Sequence, residues 1–386
     1  MLIENKSIAI VGGGPGGLTL ARLLQLKGAN VNVYERDLNK DARVQGSPLD
    51  MHKGSGMAAL RKANLVNEFN KNVRTGADKK IITNECAEIF FSDHESKQQE
   101  DVTGKFSPPE IDRGALRKIL LESLQPATVV WDSHFMSMEA QGDGWLLHFK
   151  NGSAYYADIV IAADGANSKI RPYITNCKAF YSGITMVEIN VHDAAMATPL
   201  IYTLLNGGKI MAFGNEKCLL GGQKGNGNLG FYLSFKIDKD WAVNNSLDYS
   251  DKAQFLEWFT KEYAGWNPVW YELIEKATTP FIPRPVYCAP LDQTWNSLPN
   301  ATLLGDAAHV MPPFAGEGAN TAMLDALELS ECITNDTYHT VQEAISVYEK
   351  NMRERAAKAA QESLQNGERM HSEGALDKML KVFGRH

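Results

Sequence analysis

An α/β fold on a parallel sheet, interrupted by an inserted antiparallel sheet and closed by a long C-terminal helix, is predicted by three observations. Residues 8–11 form a short β-branched run that ends in Gly12 and opens the pattern G-x-G-x-x-G at Gly12, Gly14 and Gly17. Residues 159–163 and 301–304 are further short apolar runs, each ending at an acid, in Asp164-Gly165 and Gly305-Asp306. Such runs suit buried parallel strands. Residues 180–236 differ: several strand-like runs follow one another with glycine-rich turns and little helix.

The first stretch has an internal logic. After the glycines come Leu18, Leu20, Ala21, Leu23 and Leu24 at helical spacing, with Gly28 as a C-terminal stop. A second apolar run, residues 31–34, ends at Glu35, eighteen positions after Gly17. Strand, glycine turn, helix, strand and acid in this order describe a dinucleotide cradle. Gly12 permits the tight turn, Gly14 lets the backbone approach a pyrophosphate, and Gly17 lets helix and strand pack closely. The helix start, with Pro15 in its first turn, offers unpaired N–H groups to the phosphates, and Glu35 suits ribose hydroxyls.

A polar connection follows, carrying Arg43 and Asp50, where solvated loop charges are the plain alternative to a cofactor contact. Residues 55–72 have weak helical spacing, and 73–105 mix short strand-like runs with a polar tract from residue 94. Residues 110–124 read as an amphipathic helix with Leu116, Ile119, Leu120 and Leu124 on one face and Asp112 as N-cap. Arg113 then sits in the first turn, the wrong end for a cation. It either has an anionic partner such as a phosphate or is solvated. Residues 145–156 read as a hairpin turned on Asn151-Gly152. Asp164-Gly165 is followed by Ser168 and Arg171.

In the inserted sheet, strands are expected at 184–191, 200–205, 209–213, 218–220 and 230–235, helices at 255–263 and 269–277, and an extended run at 284–290. After Asp306 come Pro312, Pro313, Phe314, Gly316 and Gly318, then a helix over 320–333. An acid at the end of a parallel strand faces the crevice where α/β folds bind ligands, and glycines admit a flat ligand close to the backbone. A last long helix starts near Val341 and continues through 370.

The net charge of −7 and the absence of a Lys/Arg-rich block exclude a nucleic-acid partner. Five cysteines, odd in number and far apart, fit neither a disulfide framework nor a metal site. No run is long enough to span a membrane and no signal-peptide core precedes the first strand, so a cytoplasmic protein is expected.

Together these segments resemble the single-component FAD-dependent aromatic hydroxylases. More narrowly, residues 33–37, 49–56, 110–113 and 305–316 resemble the tetracycline-inactivating flavin monooxygenases. The resemblance implies an α/β, Rossmann-like FAD-binding domain in three parts (1–75, 106–175 and 286–335). A substrate-domain segment (76–105), a substrate-binding antiparallel sheet (176–285) and a C-terminal helix (336–386) complete the chain. It implies that Gly12, Gly14, Pro15, Gly17, Glu35, Arg36, Asp50, Arg113, Asp164 and Asp306 hold FAD. Pro313, Gly316, Gly318, Ala319 and Asn320 would face the isoalloxazine, and Arg43 would meet NADPH. Substrate would touch Glu188, Lys209, Met211, Gly230, Pro313, Phe314 and Gly316. At Glu188, Lys209 and Gly230 the tetracycline enzymes usually carry a glutamine, an arginine and a histidine.

The implied activity is an NADPH-consuming, FAD-dependent monooxygenase. It uses O₂ through a flavin C4a-hydroperoxide to hydroxylate a polycyclic or phenolic substrate, with tetracycline inactivation and antibiotic resistance as the leading expectation. No protein acid–base pair and no metal are assigned, since the flavin carries the chemistry. A monomer is expected. The alternatives are an aromatic hydroxylase of the same fold acting on another phenolic metabolite, a flavoprotein reductase or oxidase without oxygen insertion, and a non-catalytic FAD-binding sequestering protein.

Overall fold

A computed structural model describes residues 2–42, 48–94 and 108–384. Its first layer is a five-stranded parallel sheet. Strand Ser7–Val11 lies at its centre, flanked by Asn30–Tyr34 and Ile159–Ala162, with Val129–Val130 and Ala301–Leu303 at the edges. Ile8, Ile10, Val33, Val160 and Ile161 are all buried. That is why these strands read as apolar runs rather than alternating ones.

Helix Pro15–Leu26 packs on this sheet and crosses helix Gly318–Thr334 where Gly16 allows close approach. A Cβ at Gly16 would stand 2.7 Å from Leu304 and 2.9 Å from the Ala322 carbonyl. The hairpin of Gly144–Phe149 and Ala154–Ala157 turns through Gly152 at φ +85°, as Asn-Gly predicts.

The second sheet has seven strands, in the order Thr278–Cys288, Phe180–Val191, Leu229–Lys236, Lys217–Gln223, Lys209–Gly214, Lys80–Asn84 and Ile89–Ser92. It is not wholly antiparallel: Lys209–Gly214 runs parallel to Lys80–Asn84. Those two strands come from distant parts of the chain, so no hairpin imposes their direction. One face, with Val187, Ile189, Phe231 and Leu233, is covered by helices Lys252–Glu262 and Pro268–Lys276. The opposite face carries Glu188, Lys209, Met211 and Tyr232 and turns toward the first layer's loops.

Three local expectations are corrected. Residues 200–205 form part of helix Pro199–Leu205, not a strand. Pro199 starts it and Asn206 ends it in the left-handed region at φ +40°, and these end signals outweigh the apolar run between them. Residues 55–72 break into helices Gly56–Lys62 and Val66–Asn70 at Asn64, φ +61°. Asp112 precedes helix Arg113–Glu122 but makes no side-chain cap. Its carboxylate instead accepts from Arg74 Nη1 at 3.3 Å and the Gly225 N–H at 3.1 Å, tying the helix start to the second sheet.

Helix Val341–Met370 joins the two layers. Its N-terminal half buries Ile345, Tyr348 and Met352 in the first core. Its C-terminal half braces the loop before helix Gly318–Thr334. Ser363 Oγ donates to the Pro312 carbonyl, Asn366 Nδ2 donates to the Phe314 carbonyl at 3.2 Å, and Gly367 leaves room for the Phe314 ring. Among the described residues no helix is long and apolar enough to cross a membrane.

Candidate functional site

The glycine turn has the geometry its residue types require. Gly12 is at φ +114°, and a Cβ there would strike the Ala163 carbonyl at 2.2 Å. A Cβ on Gly17 would strike the Gly12 carbonyl at 2.1 Å. Beside Gly14 a Cβ would meet nothing within 4 Å. Helix Pro15–Leu26 has no side-chain cap and no acid in its first turn, so its N-terminal field is left for an anion. Glu35 is buried, 2% exposed. Its Oε2 accepts from the Gly13 N–H at 2.7 Å and its Oε1 from the Asp37 N–H at 3.0 Å. The acid therefore fixes the turn itself. Arg36 beside it is exposed, and Arg43 lies outside the described residues.

The other two strand ends are clamped together by one arginine. Arg171 Nε donates to the Ala307 carbonyl at 2.6 Å, and its Nη2 to the carbonyls of Asp306 at 2.8 Å and Ala166 at 3.1 Å. Ser168 Oγ accepts from the Arg171 N–H at 3.0 Å. The D-G-x-x-S-x-x-R spacing thus reads as a staple between the Asp164 and Asp306 loops. Asp164 Oδ2 accepts from the Lys169 N–H at 2.9 Å, while its Oδ1 is buried without a hydrogen-bond partner. Asp306 and Arg113 both remain open to solvent. Even so, surrounding protein pushes the Asp306 carboxyl up, against the pull of His309, Arg113 and Arg171. It likewise pushes Arg113 down, against Tyr232, Asp306 and Glu188. Side chains that are exposed yet surrounded by protein line a recess in the surface, and each of these two acts on the other's charge.

Behind Asp306 stands a network the sequence did not reveal. Asp325 is fully buried. It accepts from the Gly305 N–H at 2.9 Å, pairs with His309 Nε2 at 2.6 Å and takes Arg355 Nη2 at 2.7 Å. Burial works to raise its carboxyl, but His309, Arg355 and the Gly305 N–H outweigh it and hold it low. His309 is raised in turn by that carboxylate despite its burial.

Asn320 joins helix Gly318–Thr334 to residues 50–56. Its Oδ1 accepts from the N–H groups of His52 at 2.9 Å and Gly56 at 3.2 Å, and its Nδ2 donates to the Asp50 carbonyl at 2.8 Å. His52 bridges Asp50 at 3.1 Å and Glu317 at 3.1 Å, and these bonds raise its pKa to about 10. Burial alone would raise Asp50, but His52 and the nearby Lys209 bring it below its ordinary value. Gly316, at φ +70°, lies 3.5 Å from the Asp50 oxygens by its Cβ position. Gly318 and Ala319 open the helix beside it.

The residues expected to touch substrate do share one sheet face. Strand register sets Glu188, Tyr232, Leu220 and Met211 side by side, with Asn190, Gly230, Gly222 and Lys209 in the next row. Phe314, from the loop Pro313–Ala315, packs together with Leu220 and Tyr232 on the buried cluster of Ile184, Met186 and Val286, and shares with Met211 and Leu220 the cluster that holds Ile82 and Phe213. Lys209 is ion-paired to the buried Glu110, and Glu188 takes Arg284 Nη2 at 2.6 Å. Both charges singled out from the sequence are therefore neutralised within the wall.

A glycine turn with an uncapped helix end, an unpartnered Asp164 oxygen and the opposed Arg113 and Asp306 fit a dinucleotide with a pyrophosphate and a flat ring. Residues 5–212 and 300–363 match the FAD binding domain family, and the chain belongs to that family. Monooxygenase penA of Penicillium thymicola is 25% identical, over 91% of this chain and 92% of penA. The 6-hydroxynicotinate 3-monooxygenase of Pseudomonas fluorescens is 27% identical, over 94% of this chain and 91% of that enzyme. Tetracycline destructase Tet(55) superposes with a TM-score of 0.75 at 18% identity, over 99% of this chain and 96% of Tet(55), a likeness of fold. The protein is a FAD-dependent monooxygenase of the hydroxylase family.

Proposed function

We propose that the protein uses NADPH and O₂ to hydroxylate a phenolic or polycyclic ring compound held between the Gly316 loop and the second sheet. One observation carries this reading: Arg113 is influenced at once by Asp306 of the first layer and by Tyr232 and Glu188 of the second sheet's face, which also carries Met211 and Leu220. FAD, when bound, would take up the two electrons that NADPH gives and pass them to O₂, activating it.

The chain's own residues bind, orient and exclude water. The first turn of helix Pro15–Leu26 holds the pyrophosphate, and Glu35, already fixing the turn, has lone pairs left for the ribose. Asp164, Asp306 and Arg113 hold the middle of the cofactor, with Asp50 and the backbone of residues 316–320 at the ring. Arg36, exposed beside Glu35, stands at the same cofactor strand end, and Arg43 is assigned to NADPH from the sequence resemblance alone. Phe314 and Met211 keep water from the reacting ring, which favours oxygen transfer over wasteful peroxide release.

Tetracycline is the first substrate to test, supported by the fold shared with Tet(55). The name of the 27% identical relative supports a second reading, a smaller ring acid. Substrate-stimulated NADPH oxidation with product mass separates them. A gain of one oxygen atom on tetracycline supports the first, and stimulation by hydroxynicotinate alone supports the second. Stimulation without any oxygenated product overturns both.

A further inference from the structure

The outer row of the substrate wall is floored by glycine. Asn190, Gly230, Gly222 and Lys209 are lateral neighbours, so its middle two positions carry no side chain. Lys224, which opens the turn after strand Lys217–Gln223, folds back across that gap. A Cβ at Gly230 would stand 2.6 Å from Lys224 Cε and 3.2 Å from its Nζ. The ammonium donates to Asn190 Oδ1 at 2.7 Å. Asn190 Nδ2 donates to Glu188 Oε1 at 3.3 Å, and Glu188 Oε2 takes Arg284 Nε at 2.6 Å. The amide is thereby locked with its oxygen toward the lysine.

Charge balance sets Lys224 apart from its neighbours. Lys209 has Glu110, and Arg284 has Glu188. Among the described residues Lys224 forms no ion pair. Asp112 and Glu188 act on it only through space, and Asp112 is already held by Arg74 and the Gly225 N–H. Burial pushes its pKa below the ordinary lysine value. A half-buried ammonium with three donors and one neutral partner lacks an acceptor, and an anion would supply both the charge and the lone pairs.

We propose that Lys224, lying over the Gly230 floor, is the specificity residue of the substrate wall and receives a carboxylate carried on the substrate's ring. This rests on the reading of this sheet face as the substrate wall. Where the tetracycline enzymes usually carry a histidine, the bare backbone of Gly230 is what admits the lysine.

The test is equilibrium binding to the FAD-loaded enzyme, followed by the visible flavin spectrum. The probes are 6-hydroxynicotinate and 6-hydroxynicotinamide, the same ring with and without the charge. Wild type is expected to bind the acid about tenfold or more tighter than the amide. K224M should weaken the acid about ten- to a hundredfold and leave the amide within about twofold, the scale of one charged hydrogen bond. K224R should keep the preference. G230A, whose methyl pushes the lysine aside, should match K224M and add nothing to it in the double variant. Equal loss for acid and amide in K224M, no preference in wild type, or no binding of either probe overturns the proposal. If the preference follows Lys224 but no oxygenated product forms, the monooxygenase reading of this cleft fails and the anion site stands.

Discussion

Asp325→Asn removes one charge from the centre of the Asp306 loop and changes almost nothing in shape. In the native protein that carboxylate is shared by His309, Arg355 and the Gly305 N–H, all within 2.9 Å. An asparagine keeps one acceptor oxygen but turns an amide toward either His309 or Arg355. Breaking a buried pair by neutralising one partner costs about 3–5 kcal/mol, because the remaining charge stays desolvated. Unfolding entropy of about 2.1 cal/mol/K per residue over 386 residues gives roughly 0.8 kcal/mol/K, so the expected fall in Tm is about 4–6 °C. Gly305 sits at φ +58°, and its N–H is held by the Asp325 carboxylate. A loosened Gly305 moves Asp306, so flavin is lost as well. Differential scanning calorimetry and the flavin-to-protein absorbance ratio of the purified variant measure both. A variant that melts with wild type and keeps its full flavin content refutes the reasoning.

Three further outcomes are expected. Gly17→Ala places a methyl 2.1 Å from the Gly12 carbonyl, so the helix must lift from the strand; the purified variant should be depleted of FAD, and full flavin content would count against the cradle. His52 has a folded pKa of about 10 against an ordinary 6.5. Its contribution is therefore complete below about pH 6.5 and lost as pH rises through about 10, so Tm should fall over that window in wild type and fall less in His52→Gln; parallel Tm profiles would contradict the bridge. Asp306→Ala should weaken flavin retention more than Arg43→Ala, measured as FAD Kd by fluorescence, and equal retention would remove Asp306 from the cofactor site.

The cradle was legible because its signals are local. Gly12, Gly14, Gly17 and Glu35 lie on one strand–turn–helix–strand unit, where spacing alone sets the geometry. The Asp164 and Asp306 loops were legible as strand ends for the same reason. Their clamp by Arg171 follows from a spacing visible in the sequence, but its acceptors on the other loop, the Asp306 and Ala307 carbonyls, are 135 and 136 positions away. Asp325, Arg355 and His309 converge from three elements, and nothing local marks a mid-helix acid as buried. Lys224 was invisible for another reason. Only sheet register shows that it fills the space over Gly230, where the tetracycline enzymes usually carry a histidine. Residues 200–205 misled because a short apolar run has no period of its own, and only its ends distinguish helix from strand.

The most direct test of the central claim is to run the purified protein with FAD, NADPH and ¹⁸O₂ on tetracycline and on 6-hydroxynicotinate, and to weigh the products. A yellow protein is expected, with a product carrying one ¹⁸O atom formed at the expense of NADPH. A colourless protein that cannot be reconstituted with FAD, or NADPH oxidation that yields only hydrogen peroxide on both compounds, would contradict that claim.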